Sequence, residues 1–283
     1  MPICINTAVN FSPERDIPSF GGQVILITGA NSGLEKQCVL EFSLHKPAKI
    51  LLTARSLDRA QAAADEIKQQ IPGAPIKLLE LDLGSFDSIK KAATAVLSET
   101  ERLDILMDVL NAGIMAIPPG LTTEGYEKTA ERDANPDVRV ISLSSHGHAY
   151  TSKGRIRYNN LKTEAEPLGP QERYSQSKLA NYSELKVTAV HPGVVSTNLA
   201  ASTTRSPKAM QYLMQFANRW LVYSVEKRAR TELWASVSRK VESGEYYKLV
   251  GVSGFASEDG QDDEQAMKLW EWTQTELQAH GAR

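Results

Sequence analysis

The stretch from Val24 to His45 constrains this chain more than any other. A short β-branched run, Val24 to Thr28, breaks at Gly29-Ala30-Asn31-Ser32-Gly33 and resumes with Val39, Leu40 and Phe42 at helical spacing. A strand that enters a helix through a glycine-rich turn leaves the helix N-terminus at the C-terminal edge of a sheet. The same unit then recurs. Lys49 to Thr53 reads as a second strand, and Ser56 N-caps a helix carrying Ala60, Ala63, Ala64 and Ile67 that stops before Pro72-Gly73. A third strand runs from Ile76 to Leu81, Ser85 opens a helix through Ile89, Ala92, Ala95 and Leu97, and Leu103 to Leu110 forms a fourth strand. Val138 to Leu143 makes a fifth and Val187 to Val190 a sixth. Strands alternating with helices specify a parallel sheet covered on both faces.

The expected fold is therefore α/β: one domain with a Rossmann-type, doubly wound parallel sheet in three α/β/α layers. After the sixth strand come a helix with Met210, Leu213 and Phe216, another around Leu233 and Trp234, a short run at Tyr246 to Val250, and a final helix near Met267 to Leu277. Residues 1–20 read as an N-terminal extension lying on the surface, and residues 21–283 as the nucleotide-binding domain. Single α/β domains reach this length.

Composition narrows the partners. Hydrophobic residues at 41% and charged residues at 23% are ordinary globular usage, and 32 Lys+Arg against 34 Asp+Glu create no basic field for nucleic acid. Cys4 and Cys38, the two cysteines, suit a reducing compartment. No apolar run approaches the ~20 residues that span a bilayer, and Met1 to Asn10 lacks a basic and then apolar leader, so a cytoplasmic protein without an integral membrane segment is expected.

Two ends of the sheet edge carry chemistry. At one, the Gly29 to Gly33 turn can hold a pyrophosphate on backbone amides. Arg55 follows the second strand, where an acidic residue would accept from a ribose 2′-OH; its guanidinium fork suits a 2′-phosphate and so NADP(H) rather than NAD(H). At the other end, Asn111-Ala112-Gly113 closes strand four, Ser144-Ser145 closes strand five, and Tyr174-Ser175-Gln176-Ser177-Lys178 opens the next helix. A Tyr and a Lys four apart share a helix face, where an ammonium can favour the phenolate while a Ser hydroxyl fixes a substrate oxygen. His146, His148 and Tyr150 have no carboxylate or Cys cluster beside them, so they read as a solvated loop with no metal.

Together these motifs resemble the short-chain dehydrogenase/reductase family, in particular its retinol-dehydrogenase-like and fungal members, from about Pro18 to Glu276. The resemblance implies Tyr174 as acid/base, Lys178 lowering its pKa and holding the nicotinamide ribose, and Ser145 orienting the carbonyl or hydroxyl. It further implies a cofactor lined by Gly29, Asn31, Ser32, Gly33, Leu34, Arg55, Asp82, Leu83, Asn111, Ala112 and Gly113. His191-Pro192-Gly193, Val195 and Thr197 resemble the segment over the nicotinamide. The activity implied is NADP(H)-dependent hydride transfer with a small carbonyl or alcohol substrate, whose pocket the 146–173 loop would shape. The alternative is a non-catalytic member that acts as a binding or scaffold protein.

Tyr174, Lys178 and Ser145 favour the enzyme, while of the departures from the family pattern Glu35, the absent relay Asn and two shortened helices favour that alternative. Glu35 replaces the last glycine of the motif, bringing a carboxylate and a Cβ towards a bound diphosphate. Asp108 falls inside strand four. Only 24 residues separate Gly113 from Val138, confining a helix there to Thr122 to Arg132, and the family's relay Asn has no counterpart, since Asn135 sits in a turn. Tyr174 to Leu185 gives 12 residues for the next crossover, as if segments were lost from both helices. These two helices commonly form the family's dimer interface, so their shortening weakens the expectation of a homo-oligomer.

Overall fold

A computed structural model describes residues 8–107, 139–151, 156–163, 165, 167–183, 188–191 and 224–281. Seven strands form one sheet: β1 (Val24–Ile27), β2 (Lys49–Ala54), β3 (Ile76–Glu80), β4 (Ile105–Met107), β5 (Arg139–Leu143), β6 (Thr188–His191) and β7 (Tyr246–Lys248). Their order is β3-β2-β1-β4-β5-β6-β7, with every neighbouring pair parallel. The order reverses between β1 and β4, the switch point where an open α/β sheet leaves a crevice outside its strand ends.

The helices among the described residues are α1 (Pro13–Asp16), α2 (Gly33–Leu44), α3 (Leu57–Gln70), α4 (Phe86–Glu99), α5 (Pro170–Ser183), α6 (Val225–Val237) and α7 (Asp263–Ala279). Alternation along β1 separates the layers. Ile25 and Ile27 bury with Ile50 and Leu52 of β2, Val39 and Phe42 of α2 and Leu233 of α6. Val24 and Leu26 instead bury with Leu51, against Val96 of α4. Ser56 and Ser85 cap α3 and α4, each side chain accepting a backbone N–H three residues on.

Several sequence expectations shift. Residues 8–20 are not a surface extension: Phe11, Ile17 and Phe20 join the main core, Phe20 meets the Phe42 ring edge-on at 5.3 Å, and Val9 N–H donates to Val250 at 2.9 Å. The helix bearing Tyr174 does not open there but at Pro170, whose fixed φ suits a first helical position. The extra turn gives α5 14 residues, the length of α3 and α4, and β6 pairs with β5 and β7. Among the described residues β4 begins at Ile105, two residues later than expected, and the rest of the expected strand, 108–110, lies outside the described residues. Asp108, Asn135, Cys4, the 122–132 helix and the helix with Met210, Leu213 and Phe216 lie outside the described residues. No helix among the described residues is long and apolar enough to cross a membrane.

Candidate active site

At the phosphate end, β1 runs into Gly29, whose φ of 60° is in the left-handed region, and Gly33 opens α2 at φ 72°. Ala30 N–H donates to Thr53 at 3.0 Å and Thr28 N–H to Met107 at 3.1 Å, so the turn is fastened to both flanking strands. Ser32 is the N-cap residue of α2, yet its side chain makes no cap hydrogen bond, and nothing lies within 4 Å of where a Cβ on Gly29 would stand. Uncapped amides beside open space are what a diphosphate needs, so the turn fits a dinucleotide. Gly29, Asn31, Ser32 and Gly33 form this turn; Leu34 is buried and has only its backbone to offer. Arg55 is exposed immediately after β2. Asp82, after β3, accepts Gly84 N–H at 3.0 Å and leads into Leu83 and the start of α4.

Glu35 differs from expectation. It is 2% exposed on the face of α2 that packs on α6, and its charge acts on Cys38 and on Glu232, itself 0% exposed. The reason is helical period: position 35 lies with Cys38, Val39 and Phe42 on the inward stripe. Glu232 Oε2 accepts the Cys38 thiol at 3.4 Å, while its Oε1 is buried without a partner. Burial first, then Glu35, pushes the Glu232 carboxyl well above the ordinary glutamate range.

At the chemistry end, Ser144 and Ser145 follow β5, and a 3-10 turn, His146–Tyr150, follows them. Ser144 Oγ donates to the Lys178 carbonyl at 3.0 Å, and its N–H donates to Val190 at 2.9 Å, bracing α5 and β6 against β5. Ser145 Oγ accepts Gly147 N–H at 3.2 Å. Tyr174 and Lys178, one turn apart on α5, come together, with Nζ 5.8 Å from the ring centroid. Burial raises the Tyr174 phenol above its ordinary value, and a hydrogen bond with Ser145 pulls it partly back. Lys178 Nζ stands over the face of the Tyr174 ring, on the same side of α5 as the phenol.

Two neighbours of Ser145 escaped sequence reasoning. A Cβ on Gly147 would lie 3.0 Å from Tyr174 Cε1, so only glycine lets the phenol approach this turn unhindered. His148 is 0% exposed and not part of a solvated loop, since Tyr246 packs on its ring at 4.9 Å. Tyr150 is exposed, as expected. Among the described residues no cluster of His, Cys, Asp or Glu could hold a metal. Asn111, Ala112, Gly113, Pro192, Gly193, Val195 and Thr197 lie outside the described residues.

Comparison with known proteins now gives the class. The profile described as short chain dehydrogenase matches residues 23–164. Retinol dehydrogenase 13 of Mus musculus is 29% identical, the match covering 88% of this chain and 82% of that protein. Short-chain dehydrogenase/reductase drtF of Aspergillus calidoustus is 30% identical, covering 92% and 95%. A solved dehydrogenase/reductase from Sinorhizobium meliloti 1021 shares the fold at TM-score 0.57 and 19% identity, over 84% of this chain and 97% of that one. The chain belongs to the short-chain dehydrogenase/reductase family of oxidoreductases, alongside retinol-dehydrogenase-like and fungal members.

Proposed function

We propose that this protein is an NADP(H)-dependent reductase or dehydrogenase acting on a small carbonyl or alcohol, with Tyr174 as the proton donor and acceptor. The observation that carries the reading is the convergence of Ser145, Tyr174 and Lys178 at the C-terminal edge of the sheet, with the Tyr174 hydroxyl hydrogen-bonded to Ser145. The bound nicotinamide would supply or accept the hydride. In the reductive direction, Ser145 holds the substrate oxygen and Tyr174 Oη delivers a proton to it, completing the alcohol; oxidation reverses the transfer. A phenol whose pKa is raised by burial keeps its proton through neutral pH, so the donor form is the one present there. Lys178, above the Tyr174 ring, stabilises charge that develops on the phenol as the proton leaves.

Glu35, turned towards Glu232, no longer argues for a non-catalytic protein. NADPH fluorescence titration tests cofactor binding: saturation below millimolar is expected, and its absence would overturn the reading. Tyr174→Phe should abolish turnover while leaving the cofactor Kd nearly unchanged. The choice of NADP(H) rests on Arg55, exposed at the end of β2. Arg55→Asp should reverse the ratio of kcat/KM for NADPH over NADH, and an unmoved ratio would remove Arg55 from cofactor choice.

A further inference from the structure

His148 lies one 3-10 turn beyond Ser145, buried, with both ring nitrogens engaged. Its Nδ1 is 2.6 Å from the Ser145 carbonyl oxygen, and Ser257 N–H reaches Nε2 at 3.2 Å. A carbonyl can only accept and a backbone N–H can only donate. The one tautomer that satisfies both is therefore protonated at Nδ1 and bare at Nε2. The same Ser145 carbonyl also accepts His148 N–H at 3.0 Å, so one residue grips it twice. The ring packs edge-on against Tyr246 of β7 at 4.9 Å. His148 thus ties the peptide of Ser145 to two elements about a hundred residues away in sequence, the last strand and the segment that leads into α7.

We propose that His148 is a positioning residue for the reaction: held in the Nδ1–H tautomer, it clamps the Ser145 peptide against the Ser257 segment and so fixes the hydroxyl that faces Tyr174. This rests on the Ser145–Tyr174 reading above. The clamp matters because Ser145 Oγ is set by a turn of only five residues. Short 3-10 turns have poor internal hydrogen-bond geometry and need outside support. A serine displaced by about 1 Å would lose up to about 100-fold in turnover without weakening a cofactor held at the other end of the cleft.

The test pairs two variants with one spectroscopic measurement. His148→Phe keeps an aromatic ring against Tyr246 and removes both nitrogens; His148→Asn restores a donor near the Nδ1 position. For His148→Phe, kcat should fall by about 10- to 100-fold with the NADPH Kd unchanged, and His148→Asn should recover most of that loss. Equal losses in the two variants, a matching fall in NADPH affinity, or an unchanged kcat would overturn the proposal. Independently, 15N-histidine NMR of the wild-type protein at about pH 8, assigned by the signal lost in His148→Phe, should show Nδ1 protonated and Nε2 bare. The opposite tautomer would also overturn it, whether or not a substrate is in hand. Failure of wild-type NADPH binding with the expected tautomer intact would instead count against the enzymatic reading alone.

Discussion

A methyl group added at Gly147 would stand 3.0 Å from Tyr174 Cε1 and 3.5 Å from Ser145 Oγ, pressing between the two groups that the proposed proton transfer would depend on. Gly147→Ala is therefore expected to lower kcat by about 10-fold with the NADPH Kd unchanged, measured by steady-state kinetics and fluorescence titration; wild-type kcat would mean that the ring yields without cost. The phenol's pH behaviour also follows from its surroundings. Burial raises the Tyr174 pKa and the Ser145 hydrogen bond lowers it, so the reductive rate should stay level through neutrality and fall only above the ordinary phenol range. In Ser145→Ala the residual rate should hold to still higher pH, because the lowering contact is gone. Ser145, Tyr174 and Lys178 were legible in the sequence because residue type and an i, i+4 spacing carry their chemistry. Gly147 and His148 were not, since their roles depend on Tyr174 and Ser257, which spacing does not bring beside them.

The contact between α2 and α6 places two carboxyls and a thiol where water does not reach. Glu232 has its folded-state pKa raised above that of the unfolded chain, by burial and then by Glu35, and Cys38 is raised by burial and then by Glu232. For groups shifted upward, the stabilising protonated form is complete below their ordinary values and is lost as pH rises through the folded values. Stability should accordingly decline from above the ordinary glutamate range into the alkaline range. Glu232→Gln cannot ionise and should flatten the decline of Tm above the ordinary glutamate range, raising Tm in the alkaline range by about 2–4 °C for each kcal/mol regained. An unchanged slope would assign the effect to other groups. The sequence marked Glu35 as a departure from the glycine pattern but could not say which way the side chain turned, because its partner lies on another helix, 197 positions further along the chain.

Across the whole molecule, residues 8–20 strap the open side of the core. Phe20 N–H donates to His45 at 2.8 Å, its ring meets Phe42, and Phe11 and Ile17 lie in the same cluster as Ile25 and Leu233. Truncating a buried aromatic ring costs about 3–5 kcal/mol, so Phe20→Ala should lower Tm by about 10 °C in a thermal melt, and a shift within about 2 °C would return the segment to a surface role. The amino-acid sequence alone determined the alternating α/β order, the glycine corner, and the Tyr–Lys pair with its serine, because hydrophobic period and residue chemistry act over a few positions. Only the tertiary structure decided that Glu35 faces Glu232, that His148 is clamped to Ser257, and that Phe11, Ile17 and Phe20 are core. Each of those outcomes is set by desolvation and hydrogen bonding between groups far apart along the chain, whose meeting no local pattern encodes.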